Sequence, residues 1–106
     1  MEFIETPTFT AAVVHLLDDK EYGKLQFALA RNVNAGSLIR GGGGLRKIRW
    51  SSSFKRKGKR GGIRIIYYAA IRNKVYMLFV YDKNDQKDLT HDQLKILAAY
   101  VKGRVV

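Results

Sequence analysis

Cysteine is absent from this 106-residue chain, which excludes a disulfide framework, a thiolate metal site and a cysteine nucleophile. Histidine occurs only at positions 15 and 91, so no histidine pair stands ready for acid–base work. His15 falls just off the apolar stripe of its segment and reads as a solvated or packing residue. Acid is missing where it is most conspicuous: no Asp or Glu lies between Tyr22 and Tyr81, a span that holds fourteen Lys and Arg. No run approaches the roughly 18 consecutive apolar residues of a membrane span. The opening MEFIETPTF lacks the basic start and long apolar stretch of a signal peptide. These absences predict a soluble, non-exported, cytoplasmic protein.

What is present is positive charge. The formal net charge is +11 and the isoelectric point is near 10.1. Small basic domains of this kind gain affinity for nucleic acid by neutralising phosphates and releasing counterions. Membrane-surface binding uses a basic amphipathic helix with large apolar residues opposite the charges, whereas the charge here falls on predicted strands and loops. A polyanion is therefore the expected partner, with no membrane role. The hydrophobic content of 46% suffices for one packed core, and the length fits a single domain over residues 1–106.

The charge is densest in LRKIRWSSSFKRKGKRGGIRIIYY, Leu45 to Tyr68, which carries nine Lys and Arg and no acid. As a strand, Leu45 to Trp50 puts Lys47 and Arg49 on one face and Arg46, Ile48 and Trp50 on the other. Ser51 to Gly61 reads as a basic crossing loop. Gly62 to Tyr68 reads as a second strand, with Ile63, Ile65 and Tyr67 opposite Arg64, Ile66 and Tyr68. Arg64 is thus the basic residue on the rigid part of the motif.

The rest of the chain fits around this stretch. Phe3 and Ile4 suggest a first strand, and Thr6-Pro7 opens a helix carrying Phe9, Val13, Leu16 and Leu17. Asp18-Asp19 separates it from a second helix running to about Asn32, giving a helical hairpin. Asn32 to Gly44 reads as a loop. Its glycines allow positive φ or close backbone approach, while GGGGLRK lacks the spacing of a nucleotide-binding phosphate loop. A turn around Arg72-Asn73-Lys74 leads to Val75 to Tyr81, apolar enough for burial on both faces and a place at the sheet centre. Thr90 and Gln93 form a predicted capping box with a Leu89–Leu94 staple. Leu94, Leu97, Ala98 and Val101 then line a helix that Gly103 ends. Asp82, Asp85, Asp88 and Asp92 lack a calcium-loop pattern and read as dipole partners of this helix. The predicted fold is α+β: a small, mostly antiparallel twisted sheet in the order β-α-α-β-β-β-α.

The segments GGLRKIRW, KGKRGGIRIIYY, VYMLFVYDKND and DLTHDQ, in this order, resemble the RelE/HigB superfamily of toxins from type II toxin–antitoxin systems, closest to its HigB-like, RelE-type branch. The resemblance implies a RelE-like (microbial RNase-like) fold. It also implies a ribosome-dependent mRNA endoribonuclease that enters the 30S A site, cleaves without metal or cofactor, and is restrained by a cognate antitoxin that is itself a small DNA-binding protein. Carried over by motif, the catalytic positions are Lys47, Arg49, Arg64 and Lys83. The family's later arginine and tyrosine are replaced by Asn84 and Thr90, which leaves the general base to Tyr81 or Tyr68. Lys47 or Lys83 serves as acid or base if neighbouring cations lower its pKa. Arg46, Lys55, Arg56, Lys57, Lys59 and Arg60 are expected to hold RNA or the ribosome through phosphate contacts. Tyr67, Tyr76, Met77 and Phe79 read as core, while Trp50 and Tyr68 suit either core or base stacking. The alternative is a non-catalytic RNA- or DNA-binding module.

Overall fold

A computed structural model describes residues 1–52 and 62–105. The elements are β1 (Glu2–Glu5), α1 (Pro7–Val13), α2 (Asp19–Arg31), β2 (Ser37–Leu38), β3 (Arg46–Trp50), β4 (Ile63–Ala70), β5 (Lys74–Asp82) and α3 (His91–Arg104). The sheet order is β1-β5-β4-β3-β2. β1 runs parallel to β5 and every other pair is antiparallel, so the architecture is the expected mixed α+β.

Local chemistry sets the helix starts. Thr6 accepts the Phe9 N–H at 3.1 Å, and its own hydroxyl donates to the Leu78 carbonyl at 2.9 Å, so one cap also ties α1 to β5. Pro7 fills the first turn, where its missing N–H costs nothing. Asp18 and Glu21 form a capping box on α2, as Thr90 and Gln93 do on α3. α1 stops at Val13, earlier than its apolar stripe suggests. Leu16 and Leu17 lie beyond it in a turn closed onto the Val13 carbonyl, and both are still buried.

Two apolar clusters sandwich the sheet. Phe9 and Val13 of α1 and Leu25 and Leu29 of α2 pack with Ile63, Ile65, Tyr67, Val75 and Met77 on one face. On the other, Val101, Leu94, Leu97 and Ala98 of α3 pack with Leu45, Ile66, Leu78 and Tyr81. The stripe expected for the last helix is therefore the one it buries. α3 continues through Gly103 to Arg104, because glycine only lowers helix propensity and Lys102 and Arg104 complement the negative end of the helix dipole.

Three features differ from the sequence reading. Within the Asn/Gly/Ser loop, Ser37 and Leu38 pair with Lys47 and Arg46 as a short fifth strand. The middle position of the sheet belongs to β4; β5 is interior, between β1 and β4. The third is a bulge in β5, where the partner of β4 steps from Phe79 at Ile66 to Met77 at Tyr67. The extra residue reverses the strand's alternation. Tyr76 and Leu78 before it, and Phe79 and Tyr81 after it, all join the α3-side cluster.

Tyr67 and a glycine hold the new strand in place. The buried Tyr67 hydroxyl donates to the Val33 carbonyl at 2.8 Å and accepts the Gly36 N–H at 2.9 Å. A β-carbon on Gly36 would stand 2.8 Å from the Tyr67 ring and 2.9 Å from the Lys47 carbonyl, so only glycine allows this approach. Gly44 meets both needs anticipated for the glycine run: its φ is +104° and its β-carbon position lies 2.8 Å from the Tyr68 ring.

Candidate active site

The register of β3, β4 and β5 builds a row of polar side chains. Arg49 pairs with Arg64, and Arg64 pairs with Tyr81. Residues directly opposite one another on neighbouring strands share a face, so the row Arg49–Arg64–Tyr81 crosses three strands on the α3 side of the sheet. Lys47, two residues before Arg49, belongs to the same face one row away. The predicted separation of Lys47, Arg49 and Arg64 from Ile48, Trp50, Ile63 and Ile65 is observed. Tyr81 joins them only because of the bulge.

Exposure follows the same geometry. Arg49 is exposed, Arg64 and Lys47 are half-buried, and Tyr81 is buried. The Phe79 and Tyr81 rings lie 5.8 Å apart. Arg64 directs Nη1 toward the Ile63 carbonyl at 3.4 Å. Like charges directly opposite one another on adjacent strands repel, so this pair concentrates positive charge at one point of the sheet.

Asp88, from the loop before α3, reaches this face. Its Oδ1 accepts the Leu89 N–H at 2.8 Å, the Lys47 ammonium at 3.3 Å and, at a longer 3.5 Å, the Tyr81 hydroxyl. The Leu89 N–H, ahead of Lys47 and Tyr81, holds the Asp88 carboxyl below the usual carboxylate range. Burial, reinforced by the Asp88 charge and opposed by Arg64, pushes the Tyr81 hydroxyl up to about 12. Tyr81 therefore keeps its proton at neutral pH, and its hydroxyl donates toward Asp88. The sequence treated Asp88 as one of four dipole partners for α3. Only Asp92 lies in the first turn of that helix, and Asp82 is buried, accepting the Asn84 N–H at 2.9 Å. No local signal distinguished Asp88, since its partner Lys47 is 41 positions away.

The remaining expected site residues are dispersed. Lys83 is exposed just past β5, its backbone N–H donating to the Gly62 carbonyl at 2.8 Å. Arg46 turns to the opposite face, where Nη1 donates to the Gly36 carbonyl at 2.7 Å and lies 3.4 Å from that of Asn34. Trp50 packs against the α1/α2-side cluster and Tyr68 against the α3-side one. Lys55, Arg56, Lys57, Lys59 and Arg60 lie outside the described residues. Beside Lys47 and Arg49, the edge of β3 and the β2 segment enclose a groove of about 640 Å³ reaching Leu38 and Arg40.

Three helices around a five-stranded, mostly antiparallel open sheet, with arginines facing each other across its strands, define a small basic α+β protein of the RelE-like type. Residues 18–104, which include the whole site from Lys47 to Asp88, match the family described as the RelE toxin of the RelE / RelB toxin–antitoxin system. The chain belongs to the RelE toxin family. It is therefore a toxin of a toxin–antitoxin pair, and toxins of this family are generally mRNA endoribonucleases. No helix among the described residues is long and apolar enough to cross a membrane.

Proposed function

We propose that this toxin is a ribosome-dependent, metal-independent endoribonuclease that cuts mRNA in the ribosomal A site. The observation that carries the reading is the Arg49–Arg64–Tyr81 row on the α3 side of the sheet. Cleavage of RNA by its own 2′-OH requires loss of that proton, stabilisation of the extra charge on phosphorus as the new P–O bond forms, and a proton for the departing 5′-oxygen. The products are a 2′,3′-cyclic phosphate and a free 5′-hydroxyl. Arg49 and Arg64 serve the second requirement, because a guanidinium stays charged and matches phosphate oxygens with a planar fork. Tyr81, protonated at neutral pH, serves the third. Lys47, on the same face, and Lys83, carried over by its motif, are the further cations of this reading.

Ribosome dependence follows from what the row lacks. Neither His15 nor His91 belongs to it, so the row offers no imidazole to serve as general base. Binding a strand already held in a productive geometry compensates, since positioning alone is worth several orders of magnitude in rate. Free RNA is accordingly cut slowly.

A ribosomal target places the toxin in the cytoplasm, and the motifs quoted above favour the HigB-like branch. Two clusters sharing one sheet favour a single domain. The antitoxin, a small DNA-binding protein, neutralises the toxin by covering the basic face or displacing a catalytic element. Induced expression of wild type and Arg64→Ala in growing cells tests the assignment. Growth arrest by wild type, and its loss in a variant of equal abundance and unchanged melting temperature, is expected; full toxicity of Arg64→Ala contradicts the role of the row.

A further inference from the structure

We propose that Asp88 is a positioning residue of the cleavage site, holding Lys47 of β3 and Tyr81 of β5 in fixed relation from the loop that precedes α3. The inference rests on the endoribonuclease reading and adds to it the acidic residue that opens the DLTHDQ segment.

Asp88 is itself tied to the loop and to the start of α3. Its carboxylate accepts the Leu89 N–H at 2.8 Å, the shortest of its three contacts. Its carbonyl accepts Gln86 Nε2 at 2.9 Å, and the same nitrogen donates to Gln93 Oε1 at 2.8 Å. Gln93 Oε1 also accepts the Thr90 N–H at 2.9 Å, while Thr90 Oγ1 accepts the Gln93 N–H at 3.1 Å. The start of α3 thus forms a closed clamp of loop and helix groups that holds Asp88 independently of the sheet. Lys47 and Tyr81 reach toward this fixed point at 3.3 and 3.5 Å. A lysine has four rotatable bonds and is a poor catalytic element unless something favours one placement; the pair with Asp88, itself 68% exposed, biases the Lys47 ammonium toward this point. The Tyr81 ring is held by the sheet, and its hydroxyl oxygen lies 3.5 Å from the Asp88 carboxylate.

A carboxylate beside a site for phosphate has an electrostatic cost for binding RNA, and this separates positioning from simple structural support. Removing the Asp88 charge leaves the basic face more positive, so affinity for RNA holds or rises. The chemical step slows, because its groups are less well placed.

The experiment compares wild type, Asp88→Asn and Asp88→Glu on mRNA in programmed ribosomes. It reads the maximal cleavage rate, the half-saturating ribosome concentration and the melting temperature. Asn keeps an acceptor for the Leu89 N–H and is compatible with the fold. For Asp88→Asn the maximal rate is expected to fall about tenfold, part of the roughly hundredfold that a 1 Å misplacement costs. Half-saturation is expected to be unchanged or at lower concentration, and Asp88→Glu to recover part of the rate. Three results overturn the inference: an Asp88→Asn rate within about twofold of wild type or above it, a rate loss explained by a fall in melting temperature, or a Glu variant no better than Asn. Absence of cleavage by wild type overturns the endoribonuclease reading itself, and this inference with it.

Discussion

Replacing Tyr67 by phenylalanine removes one oxygen and, with it, the fastening between β4 and the segment that leads into β2. The hydroxyl is fully buried and serves two backbone groups, donating to Val33 O at 2.8 Å and accepting from Gly36 N at 2.9 Å. Losing two hydrogen bonds costs about 1 kcal/mol each, and any partner left buried without a replacement adds about 1–3 kcal/mol. Tyr67→Phe is therefore expected to lose about 2–4 kcal/mol, a large share of the roughly 5–15 kcal/mol typical of a whole domain. Urea denaturation read by far-UV circular dichroism measures this directly, with an unchanged slope showing that the loss is in stability. The arginine row lies on the other face of the sheet, so cleavage well below the melting temperature should survive. A loss below about 0.5 kcal/mol would refute the reasoning, since it would mean that neither hydrogen bond contributes its usual increment.

Three further outcomes follow from the same geometry. Arg49→Ala should lower ribosome-dependent cleavage about a hundredfold, the scale of one lost transition-state donor, without shifting the melting temperature, because Arg49 is exposed. Thr90→Ala removes the cap of α3 and should cost about 1 kcal/mol in denaturation, with a larger effect on activity than Lys95→Ala, a change at an exposed position of α3, since the same cap belongs to the clamp around Asp88. The Tyr81 hydroxyl is raised to about 12 in the folded protein, above the ordinary tyrosine value of about 10. Its contribution to stability is therefore complete below the unfolded pKa and is lost as pH rises through the folded one. Between pH 9 and 11, wild type should lose more stability than Tyr81→Phe, measured by urea midpoints at both values.

The parts of this protein that were legible in its sequence are those set by local chemistry. The capping box of Thr90 and Gln93 needs only residues three apart, and it is present as read. The two faces of β3 and β4 follow from alternation, so the separation of Lys47, Arg49 and Arg64 from Ile48, Ile63 and Ile65 was also visible. The illegible parts depend on distant partners. β2 exists because a hydroxyl 31 residues away holds Gly36, and nothing in NVNAGSL marks it. YMLFVY is apolar throughout, so no alternation betrayed the bulge that brings Tyr81 beside Arg64. Arg46 looked like one more phosphate contact, yet its guanidinium serves the Gly36 carbonyl. Asp88 looked like a partner of its own helix, because charge near a helix start has that bland explanation available. Gly103 looked like a terminator, since a glycine near the end of a periodic segment usually is one.

In the proposed function, the Arg49–Arg64–Tyr81 row cleaves mRNA held by the ribosome. Primer extension on a defined mRNA, with and without programmed ribosomes and with wild type beside Arg64→Ala, tests it most directly. Cuts that require both the ribosome and Arg64 are the predicted result. Tight RNA binding without cuts under any condition would contradict the account and leave a basic binding module in its place.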